Sequence, residues 1–167
     1  NELPEVTGIY PSQREAGYHF TPFEIQGNTN VNGWLQSSKY WRGFEDQVKE
    51  ALQFKPEIYK PIMEPNGKQT IAISVRRGDF VGNPNYYQLP IGYYIQALLE
   101  HFPNYHDYNI IFFSDDLPYC KVHFECLDNA YFPQGYSDIE QLALMTTCDH
   151  FIISNSTFSW WGAYLGT

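Results

Sequence analysis

From residue 70 to the end of the chain, short apolar runs alternate with amphipathic stretches, and that alternation constrains the fold more than any other feature. Thr70 to Val75 (TIAISV) is a continuous, β-branched run with the length of a strand buried on both faces. Pro90 to Phe102 places Ile91, Tyr94, Ile95, Leu98 and Leu99 at helical spacing, behind a proline suited to a first turn. Asn109 to Phe113 reads as a second strand, Leu117 to Phe124 as a short helix and Ala130 to Phe132 as a third strand. Ser137 to Thr147 is a helix carrying Ile139, Leu142, Ala143 and Met145, with Ser137 or Asp138 as its cap. His150 to Ser154 gives the last strand and Thr157 to Leu165 the last helix. Alternation of this kind predicts an α/β fold, a parallel sheet with helices on both faces.

The chain before residue 70 is less regular. Residues 1–32 are polar and punctuated by Pro4, Gly8, Pro11, Gly17, Pro22 and Gly27, so they read as an irregular N-terminal segment of loop and short strand. Between Gly33 and Phe54, Trp34, Leu35, Trp41, Phe44, Val48, Ala51 and Leu52 recur at three- and four-residue steps, which predicts one or two amphipathic helices. Pro56, Pro61 and Pro65-Asn66-Gly67 then interrupt any regular element. Three regions result: the irregular segment 1–32, a helical connector over 33–69, and the α/β domain over 70–167.

Composition narrows the function. With 167 residues, 43% of them hydrophobic, the chain buries a proper core. A net charge of −9 argues against a nucleic-acid partner, which requires a basic surface. No apolar run approaches the roughly 20 residues of a membrane-spanning helix. Cys120, Cys126 and Cys148 form no CxxC pair and leave an odd thiol, which points to a reduced, cytoplasmic setting. The chain opens on Asn1 rather than Met, which points to a start further upstream. Aromatic residues reach 18%, and rings serve either as core or as flat surfaces for sugars.

Ligands of open parallel sheets bind beyond the carboxyl ends of the strands. Three polar segments fall there: Arg76-Arg77-Gly78-Asp79, Ser114-Asp115-Asp116 and Asn155-Ser156-Thr157. The last runs into Phe158-Ser159 at a helix start, where free N–H groups attract anions and where Ser or Thr can equally serve as caps. Arg76 and Arg77 complete an anion site, because guanidinium grips phosphate oxygens in a bidentate way. Together they suit a diphosphate held without a metal. Gly78 allows a tight turn. Asp79 either orients an arginine or, as the nearest carboxylate in sequence, serves as a base. For Asp115 and Asp116 three roles stay open: capping the next helix, touching a ribose, or ligating a metal. The metal ranks last, since adjacent side chains on a strand diverge. Asp138 is either a helix cap or a carboxylate that accepts paired N–H bonds from guanine. Asn155-Ser156-Thr157 is also a glycosylation sequon, a use that would block the expected pocket.

These segments, with Asp138-Ile139-Glu140-Gln141-Leu142-Ala143-Leu144-Met145, Ser154 to Ala163 (SNSTFSWWGA) and Gly33 to Tyr40 (GWLQSSKY), resemble in order the conserved blocks of the α-1,2-fucosyltransferases of glycosyltransferase family 11. The resemblance spans about residues 30–166, and the Trp160-Trp161 block is its most specific part. It implies that residues 70–167 are the Rossmann-like, nucleotide-sugar-binding half of a GT-B glycosyltransferase, and that 1–32 is a remnant of the acceptor domain. It further implies inverting transfer of L-fucose from GDP-fucose to a glycan hydroxyl, galactoside-like and α-1,2-linked, with no metal or other cofactor. Under it Arg76 holds the β-phosphate and Arg77 supports it. Asp138 reads guanine, while Ser156, Thr157, Phe158 and Ser159 surround the diphosphate. The chain departs from the family twice: Ser74 stands where the arginine block usually opens with His, and the glycine-rich block Gly-Gly-Leu-Gly-Asn-Gln is absent. A non-catalytic GDP- or glycan-binding fragment is the competing reading.

Overall fold

The computed structural model describes residues 10–17, 19–61 and 66–166. Residues 1–9 of the expected irregular segment and 62–65 of the expected connector lie outside them. The chain divides after Gln53 into two compact units.

In the first unit, β1 (Ser12–Arg14) pairs in parallel with β2 (Asn30–Asn32), Ser12 opposite Asn30. Glu15, just past β1, is 6% exposed and is the buried carboxylate of this unit among the described residues. It accepts hydrogen bonds from the Tyr40 hydroxyl and from the Leu35 N–H, the latter at 2.9 Å, and these hold its carboxyl below the usual range. The Leu35 bond holds that residue at φ +50°, a left-handed conformation that side chains disfavour. The helical pattern expected over 33–54 is realised only in part. A 3-10 turn covers Ser38–Trp41 and α1 covers Glu45–Ala51, with Gly43 at φ +86° between them. Trp34, Phe44 and Leu52 are exposed, so their spacing does not mark a buried face.

The second unit holds the sheet. Its strands are β3 (Thr70–Val75), β4 (Asn109–Ser114), β5 (Ala130–Tyr131) and β6 (His150–Ile153), in the order β5-β4-β3-β6, all parallel. Four helices connect or follow them: α2 (Ile91–His101), α3 (Leu117–Phe124), α4 (Asp138–Met145) and α5 (Thr157–Gly166). Alternate side chains of β3 and β4 feed two cores. Ile71, Ile73, Val75, Ile110 and Phe112 pack with Tyr94 and Leu98 of α2 and Cys120 and Phe124 of α3. Ala72, Ile111 and Phe113 face the other way, toward Leu144 and Met145 of α4 and Phe158 of α5. Helices therefore cover both faces, and this is the α/β arrangement expected from the alternation.

Two helices turn differently from their predicted faces. In α2 the inward pair is Tyr94 and Leu98, four apart, whereas Ile95 and Leu99 are exposed. One residue is a rotation of about 100° on a helix, so the neighbours of the buried pair are carried outward. In α4, Ala143, Leu144 and Met145 are buried and Ile139 is exposed. Close approach accounts for the glycine of the Trp-Trp block: a β-carbon on Gly162 would lie 2.4 Å from the Met145 sulfur, so a side chain there would displace the buried Met145 between α4 and α5. No helix among the described residues is long and apolar enough to cross a membrane.

Candidate functional site

The order β5-β4-β3-β6 makes the chain build outward from β3 on one side, then cross back to the other. The strand order reverses between β3 and β6, and crevices at such points bind ligands. A cleft of about 130 Å³ lies at these carboxyl ends. Ser74, Val75 and Arg76 line it from β3, and Phe113, Ser114 and Asp115 from β4. Asp138 and Gln141 enter from α4, and Ser156, Phe158 and Ser159 from the start of α5.

Arg76 is the cation of this cleft. Its Nη1 lies 2.8 Å from Asp115 Oδ2 and its Nη2 2.7 Å from Asp79 Oδ1. The two carboxylates are not equivalent. Asp115 Oδ1 also accepts the Arg77 N–H at 2.9 Å, and Gly78 packs so closely that a β-carbon there would sit 2.4 Å from Asp115 Oδ2. Asp115 is thus fixed from several sides, whereas the Asp79 side chain is 57% exposed and held by Arg76. The close approach of Gly78 also explains why a glycine follows the two arginines.

Arg77 points elsewhere. Its Nε donates to Asp116 Oδ2 at 2.8 Å, and its guanidinium lies 3.5 Å from the centre of the Tyr119 ring, a cation–π geometry. Asp116 Oδ1 caps α3 by accepting the Tyr119 N–H at 3.1 Å, and Ser114 Oγ accepts the Asp116 N–H at 2.9 Å. The Arg77 hydrogen bond, then the Tyr119 N–H, hold the Asp116 carboxyl below its ordinary range. Of the roles open to the acidic pair, Asp116 takes helix capping, while Asp115 braces Arg76, a contact that was not among those roles.

Beneath the cleft, three hydroxyls meet. Ser159 Oγ lies 2.7 Å from Ser74 Oγ and 3.0 Å from Ser154 Oγ, and Ser159 is 1% exposed. This cluster ties the first turn of α5 to the ends of β3 and β6. Ser74, which departs from the family's His, is one leg of it. The Ser156 carbonyl accepts the Trp160 N–H at 2.9 Å, so α5 is properly wound from its first residues. Its leading N–H groups and positive dipole end lie at the cleft.

At the start of α4 the cap is Ser137 rather than Asp138. Ser137 Oγ accepts the Glu140 N–H, and Glu140 returns the bond to the Ser137 N–H at 2.8 Å, a reciprocal capping box. Capping therefore does not require Asp138, an exposed residue among those that line the cleft.

Of the residues singled out in the sequence, Arg76, Asp115, Asp138, Ser156, Phe158 and Ser159 meet in one cleft. Asp79 adjoins it through Arg76, while Arg77 and Asp116 support it from behind. Thr157 is exposed and is not among the cleft-lining residues. Asn155, the sequon residue, donates its Nδ2 to the Tyr87 carbonyl at 2.9 Å and anchors the loop after β3. Gln141 was not singled out for the cleft, whereas Ser114 belongs to one of the polar segments expected there. Gln141 lies one helical turn beyond Asp138 on the same face, and that spacing is the signal for it.

The profile of glycosyl transferase family 11 matches residues 10–167. An alpha-1,2-colitosyltransferase of Escherichia coli is 28% identical over 161 residues, which is 84% of this chain and 56% of that protein. The O-antigen biosynthesis glycosyltransferase WbnK of Escherichia coli is 36% identical over 118 residues, which is 66% of this chain and 38% of that protein. The chain thus spans about half the length, or less, of these curated relatives. The crystal structure of POFUT1 in complex with GDP shares the fold, with a TM-score of 0.56 over 82% of this chain and 52% of that one at 12% identity. The sequence blocks, the parallel sheet and the family profile agree, and the chain belongs to glycosyltransferase family 11.

Proposed function

We propose that this chain carries the donor-binding half of an inverting, metal-independent fucosyltransferase that uses GDP-fucose. The observation that carries the reading is the placement of Arg76 at the reversal of strand order, in one cleft with the start of α5. Arg76 grips the β-phosphate, and the N–H groups of α5 receive the remaining diphosphate oxygens. As the acceptor hydroxyl attacks the anomeric carbon, the bond from that carbon to the phosphate oxygen breaks and its electron pair stays on GDP. Arg76 and α5 stabilise that growing charge, a role that a metal fills in other designs. A base removes the hydroxyl proton. Asp138 accepts the two guanine N–H groups and selects GDP over uridine and adenosine diphosphates. A β-linked donor leaves an α-linked product, and a galactoside is the acceptor in this reading.

Two guanidiniums and three carboxylates meet around Arg76 and Arg77. A diphosphate adds further negative charge, so one carboxylate must give way. Asp79 is the exposed one, and it leaves Arg76 when the donor arrives. Asp79 is thereby a holder of Arg76 rather than the base. Three free cysteines, Cys126 exposed, accord with a cytoplasmic setting.

Colitose, the 3-deoxy form of L-fucose, is a second candidate for the transferred sugar, on the strength of the colitosyltransferase relative. Calorimetry with GDP, UDP and ADP, followed by turnover of GDP-fucose and GDP-colitose with a galactoside panel and EDTA, tests these readings. Preference for GDP with EDTA-insensitive transfer supports the proposal. Binding without transfer favours a non-catalytic fragment, and equal affinity for all three nucleotides removes both.

A further inference from the structure

The segment after the arginine block has an unusual composition. Residues 80 to 99 contain no charged side chain, in a protein where 17% of residues are charged. Nor does the segment hide: Tyr86 is 48% and Tyr87 70% exposed. Exposed aromatic surface free of charge and interleaved with Asn83, Asn85 and Gln88 suits a neutral ligand rich in hydroxyls.

The segment is also preorganised. The Phe80 and Val81 N–H groups return to the Arg77 carbonyl at 2.7 and 2.9 Å, and the Asn83 N–H to the Phe80 carbonyl at 3.2 Å. Asn83 Oδ1 accepts the Asn85 N–H at 3.0 Å, closing a second turn. Asn155 fastens the far end through the Tyr87 carbonyl. Held this way, the rings of Phe80 and Tyr86 stack in parallel, with centroids 4.6 Å apart and planes 6° from each other. The Arg76 guanidinium lies 5.8 Å from the centre of the Phe80 ring, so the aromatic slab continues directly from the cleft.

We propose that Tyr86, backed by the stacked Phe80 ring, and Tyr87 form the platform on which the acceptor pyranose stacks, a subsite for a neutral hexose. The inference rests on the donor reading above, because Arg76 marks where the reacting anomeric carbon sits. An acceptor must come within bonding distance of that carbon, and this slab adjoins the group gripping its phosphate. Galacto-configured sugars leave a continuous C–H patch on one ring face, which the outer face of an exposed ring such as Tyr86 covers well. The carboxamides of Asn83, Asn85 and Gln88 offer donors and acceptors for the ring hydroxyls. Asn155 fastens the Tyr87 backbone beneath this surface through its carbonyl.

Saturation-transfer NMR with methyl β-galactopyranoside, in the presence of saturating GDP, tests the platform. Transfer to the ring C–H protons is expected in the wild type, together with at least a fivefold loss in a Tyr86→Ala, Tyr87→Ala double variant. GDP affinity, measured by calorimetry on the same samples, stays within twofold, and Tyr86→Phe retains the signal. A wild type that binds GDP but transfers nothing to the galactoside overturns the inference, as does undiminished transfer in the double variant. So does loss of GDP binding with a lowered melting midpoint, because the rings would then be a packing face for protein. A wild type that fails to bind GDP removes the donor reading itself.

Discussion

Ser74 Oγ lies 2.7 Å from Ser159 Oγ, so the first strand of the parallel sheet holds the first turn of the last helix by a buried hydroxyl pair. Ser154 joins at 3.0 Å and completes a three-hydroxyl cluster. Ser159→Ala strands two buried hydroxyls at once, and a loss of about 1–3 kcal/mol in denaturant unfolding is expected. Ser74→Ala introduced into Ser159→Ala then adds little, because the bond it would remove is already gone. Full additivity of the two substitutions would show that the cluster does not act as a unit.

Gly78 has no room for a side chain beside Asp115. Gly78→Ala pushes Asp115 off Arg76 and turns the guanidinium out of the cleft. GDP affinity is expected to fall about tenfold, which corresponds to roughly 1.4 kcal/mol, with a smaller change in the melting midpoint. Calorimetry and a thermal melt on the same preparation separate the two effects.

Asp79 competes with phosphate for Arg76. Asp79→Asn removes the competing charge, and GDP is expected to bind about two- to fivefold more tightly, the range of an exposed ion pair. A large drop in turnover at unchanged GDP affinity would instead assign Asp79 as the base.

Acid lability follows from two paired carboxyls. Lys60, together with the Ser137 N–H and hydroxyl, pushes the Glu140 carboxyl down to about 2. Arg77 and the Tyr119 N–H lower that of Asp116. A carboxyl depressed on folding stabilises the protein fully above its unfolded value of about 4, and that contribution fades as pH falls toward the folded value. Stability is therefore expected to decline between about pH 4 and pH 2. Glu140→Gln lowers stability at neutral pH and flattens this acid limb, which a pH series of urea melts would record.

Much of the second unit was legible because its signals are local. Thr70 to Val75 has few choices but a strand buried on both faces, and Pro90 suits the boundary ahead of a helix, where it stands as the extended N-cap of α2. Arg76, Asp115 and Ser156 were visible because strand ends of a parallel sheet converge, so separate polar segments share one edge. Rotational details were not legible. Ile95 and Leu99 match the apolar period as well as Tyr94 and Leu98, and only packing against β3 and β4 decides between them. The helical pattern expected over 33–54 is missing from its first residues for a related reason: Trp34 and Leu35 keep the spacing, but the buried Glu15 captures the Leu35 N–H, and Leu35 sits at φ +50°, outside the helical region. Such a capture depends on a residue 20 positions away, which no local period reveals. Ser74 illustrates the opposite case, a departure from the family pattern whose reason, a hydroxyl partner at Ser159, exists only in three dimensions.

The account turns on Arg76 as the group that grips the donor diphosphate. Calorimetric titration of GDP into wild-type protein and into Arg76→Ala and Arg76→Lys tests it most directly. The alanine variant is expected to lose about a hundredfold in affinity and the lysine variant somewhat less, since a point charge replaces a bidentate fork. Melting midpoints should stay close to wild type, because the guanidinium is partly exposed and its partners face solvent. GDP binding by Arg76→Ala with wild-type affinity would contradict the diphosphate assignment and the donor reading built on it.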